Sequence, residues 1–162
     1  MKSIRFRIIV LSTFALIFLG LAIFKEYENV EGNLINAQKS LEVINKTAHL
    51  SQIVHSLQQE RGLSAANLAK NDVDIRNKLL KQRQITDSRL KDLIDFIDAN
   101  DKKKLATFEK ELQEIRQKID TGTASWDIVK QFYTEKIEQV LDQIHISVGS
   151  LDHAKEITHK LD

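Results

Sequence analysis

The chain has 162 residues, with no proline, no cysteine and only five glycines. Its length fits about one domain, and long runs of Leu, Ile, Lys, Glu and Gln predict an almost wholly helical, all-α protein. The absence of cysteine excludes disulfides and thiol chemistry. A formal net charge of +1 removes the electrostatic case for nucleic acid as a partner.

The N-terminus carries an apolar run that predicts a membrane anchor. Residues 8–24 form an uncharged stretch of 17 residues, preceded by Lys2, Arg5 and Arg7. As a helix this stretch is roughly 25 Å long, near the lower limit for crossing the hydrocarbon core. The basic residues place the N-terminus in the cytoplasm and the rest of the chain outside. A cleaved signal peptide is the alternative, but no small-x-small cleavage site follows the run. Residues 1–25 are therefore predicted to be a basic cytoplasmic tip and a single transmembrane helix.

Residues 26–46 are predicted to form a helical stalk that continues the membrane helix into the first helix of the domain. Gly32 is the residue with the lowest helix propensity in this segment. An uncovered apolar seam on such a stalk favours a homodimer. The apolar positions recur at spacings of three and four along Tyr27, Val30, Leu34, Ala37, Leu41, Ile44 and Ala48.

Three breaks divide the remainder, residues 47–162, into four helices. Cap-forming or turn-forming residues occur at 71–72, 100–101 and 120–123. Gly122 is expected to end the third helix, and Ser125 to cap the fourth.

The second helix is predicted to cover about residues 73–99. It and the two helices that follow it each carry an apolar stripe. Because the connections are short, successive helices should be antiparallel, which predicts an elongated up-down-up-down four-helix bundle. The stripes of the third and fourth helices consist of Leu105, Phe108, Leu112, Ile115 and Ile119, and of Trp126, Val129, Tyr133, Ile137, Val140, Ile144, Val148 and Leu151.

Arg61 lies where the first bundle helix should carry an apolar residue. Its guanidinium is therefore predicted to point toward a partner helix. Burying it unpaired costs several kcal/mol, so a carboxylate or a bound anion should meet it. The helix face in question consists of Leu50, Val54, Leu57, Arg61, Ser64 and Leu68.

Arg83 and Arg116 fall at or beside the seams of two other helices. Guanidiniums suit a small oxyanion through bidentate hydrogen bonds, and bundles bind ligands between helices. In the alternative, Asp87 or Glu60 permanently neutralises Arg61 and no ligand binds. The predicted ligand-binding residues are Arg61, Ser64, Arg83, Thr86, Arg116 and Tyr133, with Asp87 and Glu60 as counter-ions.

The run Ile53-Val54-His55-Ser56-Leu57-Gln58-Gln59-Glu60-Arg61-Gly62-Leu63-Ser64-Ala65 resembles the signature of the nitrate- and nitrite-sensing (NIT) domain family. Gln82-Arg83 followed by Thr86-Asp87, and later Tyr133-Thr134, also agree with that family's pattern. The resemblance implies a helical sensor module of the kind found in bacterial histidine kinases and chemotaxis receptors.

The resemblance further implies that arginines bind nitrate or nitrite, and Arg61 is the position that carries over most directly. The family's domain continues with a second helical half that carries another Glu-Arg segment. Residues 47–162 would then correspond to the first half. On this interpretation the chain is an extracytoplasmic sensor attached to the bacterial inner membrane.

Enzymatic chemistry and metal binding are not expected. No two of the five histidines lie three or four residues apart, so no helix presents a histidine pair to a metal. The sequence has no nucleophile elbow, glycine-rich phosphate loop or paired catalytic carboxylates, and no cofactor is predicted. The alternative function is a ligand-free module for dimerisation or partner binding, in which the arginines are structural.

Overall fold

The computed structural model describes residues 2–70 and 72–159, with side chains for residues 11–28, 30–70 and 72–149. The chain divides into two compact units, residues 1–41 and residues 42–162. Helix α1 extends over Lys2–Lys70. The other α-helices of the described chain are α2 (Val73–Asp92), α3 (Ala99–Asp120) and α4 (Trp126–His159).

The first unit is helical in its described part, residues 2–41, and its large apolar side chains are exposed. The structure does not support the predicted transmembrane helix: none of the described helices combines the length and the apolar character that crossing a bilayer requires. The predicted anchor begins with residues 1–10, which lie outside the residues whose side chains are described.

The predicted breaks at 71–72 and 120–123 are confirmed at Asp72 and at residues 121–123, whereas Asp120 is the last residue of α3 and Asn71 lies outside the described residues. The Asp72 carboxylate caps α2 by accepting a hydrogen bond from the Asp74 backbone N–H at 2.7 Å. Gly122 follows α3 with a φ of 69°, a conformation that favours glycine over residues with a side chain. The Ser125 hydroxyl accepts a hydrogen bond from the Ile128 backbone N–H at 3.4 Å, at the start of α4.

The predicted break at 100–101 is wrong by about three residues. Helix α2 ends at Asp92, and a 3₁₀ helix (Leu93–Phe96) follows it. The Asp98 carboxylate then caps α3 by accepting a hydrogen bond from the Asp101 backbone N–H at 2.8 Å. Asp101 therefore lies in the first turn of α3 and not in a loop.

Cross-helix contacts within the second unit confirm that successive helices are antiparallel. Gln82 of α2 donates to the carbonyl of Ser56 of α1, and the later residue Arg89 contacts the earlier residue Gln52. Contacts between α2 and α3 follow the same order: Arg83 with Asp120, and Asp87 with Arg116. Between α3 and α4, Glu111 contacts Lys136, and the two residues lie nine and ten residues from the helix ends that the short connection joins.

The core of the second unit is apolar except for a polar layer around Glu60, Arg83 and Arg116 and the buried polar residues Ser56, Asn67 and Gln82 that flank it. Apolar side chains from all four helices fill it, including Ile53, Leu57, Leu79, Leu112 and Val129, each at most 1% exposed. Burial of this kind contributes about 25 cal/mol per Å² of apolar surface. The polar layer within the core contains the candidate site.

Candidate functional site

Glu60 of α1 is the anionic centre of the polar layer. Its side chain is 0% exposed, although an ionised carboxylate is among the costliest groups to bury unpaired. Glu60 follows Leu57 by three residues and precedes Ser64 by four, so these three side chains share the buried face of α1. A carboxylate at this position requires donors from the neighbouring helices.

Arg116 of α3 supplies the strongest of these donors. Its Nε lies 2.7 Å from Glu60 Oε1, and its Nη2 lies 2.9 Å from Glu60 Oε2. This bidentate pairing matches the planar guanidinium to the planar carboxylate. The remaining nitrogen, Nη1, donates to Asp87 Oδ1 of α2 at 2.6 Å. Burial alone would lower the pKa of Arg116, but its hydrogen bonds to Glu60 and Asp87 and the charges of these groups outweigh burial and raise it.

Tyr133 of α4 completes the contacts of Glu60 from the opposite helix. Its hydroxyl donates to Glu60 Oε1 at 2.8 Å, and its side chain is 0% exposed. Burial raises the pKa of Tyr133 well above its ordinary value of 10, and the negative charge of Glu60 raises it further. The phenol is therefore a neutral donor at physiological pH.

Arg83 of α2 is a second buried arginine in the layer, with a side chain 8% exposed. Its Nη1 donates to Asp120 Oδ2 at 2.8 Å, and its Nε lies 3.8 Å from Glu60 Oε1. Among the described residues, neither Nε nor Nη2 of Arg83 has a hydrogen-bond partner. A buried guanidinium with two unused N–H-bearing nitrogens is costly to maintain.

The two predicted hydroxyl donors differ in their surroundings. Thr86 Oγ1 already donates to the carbonyl of Gln82, one turn earlier in α2, at 3.1 Å. Ser64 Oγ is buried and has no hydrogen-bond partner of ordinary geometry among the described residues. It lies close enough to the Tyr133 hydroxyl to lower the pKa of that group slightly, against the larger effects that raise it.

Arg61 points toward a partner helix, α4, as its register predicts, but it is not fully buried and the group that it contacts is a hydroxyl and not a carboxylate. Its side chain is half-buried, and its Nη1 donates to Thr134 Oγ1 at 3.3 Å. Neither of the two predicted counter-ions forms an ion pair with it, because Glu60 and Asp87 pair with Arg116 instead. The buried face of α1 is thus displaced by one residue from the predicted face at this turn.

Each buried arginine of the layer is already paired with carboxylates. Its three carboxylates belong to Glu60, Asp87 and Asp120, and its two guanidiniums belong to Arg83 and Arg116. Asp87 and Asp120 are about half exposed, with side chains 49% and 54% accessible. Their charges are therefore screened by water more strongly than that of Glu60. Glu60 is the anion that the two buried arginines share.

The sequence prediction missed Asp120 and Thr134 as members of this cluster. Asp120 was assigned to a loop, and Thr134 is adjacent in sequence to Tyr133, whose position on the apolar stripe was recognised. The sequence held no local signal for these two residues. It did hold one for the centre of the cluster: in the adjacent pair Glu60-Arg61, either residue can face the core. No group of three or more His, Cys, Asp or Glu side chains in the described residues has the arrangement of a metal site.

Comparison with known proteins identifies the family. The model of the nitrate and nitrite sensing (NIT) family matches residues 52–160, which include the whole cluster around Glu60. No curated protein and no solved structure matches the chain. The matched range covers more than half of the sequence, and the chain belongs to the nitrate and nitrite sensing (NIT) family.

Proposed function

We propose that the second unit is the ligand-binding module of a bacterial receptor and that it binds nitrate or nitrite in the polar layer around Arg83 and Arg116. One observation carries the proposal. Arg116 holds a planar oxyanion, the Glu60 carboxylate, by two parallel hydrogen bonds in a buried layer, while Arg83 presents two unused nitrogens beside it.

The donors suit an anion with the shape and charge of nitrate. Nitrate is planar and carries a single negative charge, so two of its oxygens can accept from the Arg116 fork, as a carboxylate does. The third oxygen is available to the Tyr133 hydroxyl or to Arg83. Because the layer is shielded from water, these hydrogen bonds are stronger than they would be at the surface.

The remaining predicted ligand residues have secondary roles in this proposal. Ser64 supplies a buried hydroxyl beside Tyr133 that has no hydrogen-bond partner of ordinary geometry among the described residues, whereas the Thr86 hydroxyl is occupied by the backbone. Arg61 lies at the edge of the cluster, beside Thr134. Its charge would attract an anion toward the site without contacting it in the buried layer.

Signal transmission is proposed to follow from a change in how the helices are paired. Side chains of α1, α2, α3 and α4 all lie within the polar layer. An anion shifts the bundle only if it binds one helix arrangement more tightly than another. Helix α1 would then carry the shift toward the N-terminus, to an output such as a histidine kinase or a chemotaxis receptor.

Membrane attachment, an extracytoplasmic location and homodimerisation remain predictions from the sequence. The apolar run at residues 8–24 and the preceding basic residues support the first two. The exposed seam residues Tyr27, Val30 and Leu34 support the third. Sedimentation of the expressed chain with bacterial membranes tests attachment, protease digestion of intact spheroplasts tests the extracytoplasmic location, and cross-linking tests homodimerisation. Recovery of monomeric chain in the soluble fraction would contradict them.

The binding proposal is tested by calorimetric titration of the full chain with nitrate and nitrite, with chloride at equal ionic strength as the control. We expect saturable heat with nitrate or nitrite and none with chloride. Arg83→Ala should weaken binding, since it removes two free donors, while Lys81→Ala, a matched exposed cation on α2, should not. Absence of anion-specific heat at millimolar nitrate and nitrite would contradict the proposal.

A second candidate function is a ligand-free module that dimerises or binds a partner. The specific observation in its favour is that Glu60, Asp87 and Asp120 already pair with the two buried arginines. In this case the cluster fixes the helix register, as buried ion pairs do in some proteins. Thermal unfolding separates the candidates: an unfolding temperature that depends on protein concentration but not on nitrate favours the second.

A further inference from the structure

We propose that Glu60 is a tethered competitor: its carboxylate occupies the position at which the oxyanion binds, and binding requires Glu60 to leave Arg116. This inference rests on the proposed function and concerns how that site is regulated. It follows from three observations on the polar layer, which concern shape, charge and the availability of a second partner.

The first observation is the fit of the Glu60 carboxylate to its donors. It accepts from Nε and Nη2 of Arg116 and from the Tyr133 hydroxyl, at 2.7, 2.9 and 2.8 Å. These donors form the part of the layer best suited to an oxyanion. A nitrate ion and the Glu60 carboxylate cannot both accept hydrogen bonds from the same Arg116 fork.

The second observation is the charge of the layer. With Glu60 in place, three carboxylates face two guanidiniums. A further anion placed beside Arg116 would meet the Glu60 charge at close range in a buried setting, where repulsion is weakly screened. An anion that displaces Glu60 from Arg116 increases the separation of the two negative charges and so reduces this repulsion.

The third observation is that Arg83 offers Glu60 a second position. Arg83 Nε is 3.8 Å from Glu60 Oε1 and has no hydrogen-bond partner among the described residues. A displacement of about 1 Å would bring these atoms to hydrogen-bonding distance. Arg83 can therefore keep a positive charge beside Glu60 while the Glu60 side chain rotates further, out of the Arg116 fork, so that Glu60 does not become an unpaired buried charge.

Two arginines and one shared carboxylate thus form a two-state element. In one state Glu60 pairs with Arg116, which is the arrangement observed. In the other, the anion pairs with Arg116 and Glu60 pairs with Arg83. Because Arg116 belongs to α3 and Arg83 to α2, the exchange alters which helix is held most tightly to α1. The observed affinity is then the intrinsic affinity reduced by the fraction of molecules in which Arg116 is available.

The test is calorimetric titration of the full chain with nitrate, comparing the natural sequence with Glu60→Gln. The amide has no charge to compete for Arg116, so we expect the dissociation constant to fall by about tenfold or more. Glu42→Gln, an exposed acid of α1 in the same unit, is the matched control and should leave the constant unchanged. Sodium acetate, a free analogue of the Glu60 side chain, should compete with nitrate in the Glu60→Gln variant.

Glu60→Asp provides a second variant if Glu60→Gln does not fold. Its shorter side chain retains the charge but reaches Arg116 less well, so its nitrate affinity should also exceed that of the natural chain. Equal or weaker nitrate binding by the folded variant, beside measurable binding by the natural chain, would overturn this inference alone. Failure of both the natural chain and the variants to bind nitrate or nitrite would overturn the proposed function as well.

Discussion

The Glu60 carboxylate of α1 and the Arg116 guanidinium of α3 form a bidentate ion pair in the core, with side chains 0% and 4% exposed. Pairs of this kind are strongly sensitive to the loss of one partner, because the remaining charge stays buried. They also constrain register, since two parallel hydrogen bonds fix both the distance and the relative orientation of the groups. The stability and the ligand chemistry of the domain therefore depend on the same pair.

Arg116→Met should lower the free energy of unfolding by about 3–5 kcal/mol, because it leaves the buried Glu60 without its main partner. Urea denaturation at pH 7 measures this change. Lys118→Ala, an exposed cation two residues away on α3, is the control and should change stability by less than about 0.5 kcal/mol. Adding Glu60→Gln to Arg116→Met should recover part of the loss, and purely additive losses would contradict the pairing.

Tyr133→Phe should lower the free energy of unfolding by about 1.5–3 kcal/mol. The substitution keeps the ring and removes only the hydroxyl that donates to the Glu60 carboxylate, and hydrogen bonds to charged groups have this magnitude. Tyr27→Phe is the matched control, because Tyr27 is 67% exposed. Equal stability of the two variants in urea would show that the Tyr133 hydroxyl does not support Glu60.

Alkaline pH should weaken the contribution of Tyr133. Its pKa in the folded protein is raised above 10 by burial and by Glu60, so the unfolded chain releases this proton at lower pH than the folded chain. The stabilisation is therefore complete below about pH 10 and is lost as pH rises above that value. The stability difference between the natural chain and Tyr133→Phe, measured in urea from pH 8 to 11.5, should shrink above pH 10. A constant difference would contradict the raised pKa.

The register of α1 shows what the sequence could and could not predict about the site. Leu50, Leu57 and Ser64 are spaced seven residues apart, and they face the core both in the prediction and in the structure. The residue between Leu57 and Ser64 can be Glu60 or Arg61, because spacings of three then four and of four then three are both helical. Both candidates are charged, so hydrophobicity could not decide between them. The partners on α3 and α4 decide in favour of Glu60.

Helix ends could be predicted from the sequence where a single capping side chain or a glycine determines them. Asp72 and Gly122 act through their own cap or backbone conformation, and both were recognised in the sequence. The start of α3 was misplaced because Asp98 and the pair Asn100-Asp101 are all plausible caps. Only the structure shows that Asp98 is the residue whose side chain caps α3. The pairing of Arg83 with Asp120 joins residues 37 positions apart and has no local signal.

Arg61→Ala should have a small effect on stability, below about 1 kcal/mol, because the side chain is half-buried and makes a single hydrogen bond to Thr134. The same substitution should slow nitrate association if the Arg61 charge attracts the anion. Urea denaturation and stopped-flow binding measure the two effects. A loss of stability as large as that of Arg116→Met would show that Arg61 is the buried charge after all.

The most direct test of an oxyanion site at the buried arginines is the nuclear magnetic resonance signal of the arginine Nε–H groups in the full chain during nitrate titration. Arg83→Lys identifies the Arg83 signal by removing it, and Arg89, which contacts Gln52 outside the cluster, serves as the reference. If nitrate binds at these arginines, the Arg83 and Arg116 signals should shift saturably with nitrate, but not with chloride. Unchanged Arg83 and Arg116 signals at saturating nitrate would contradict an oxyanion site there.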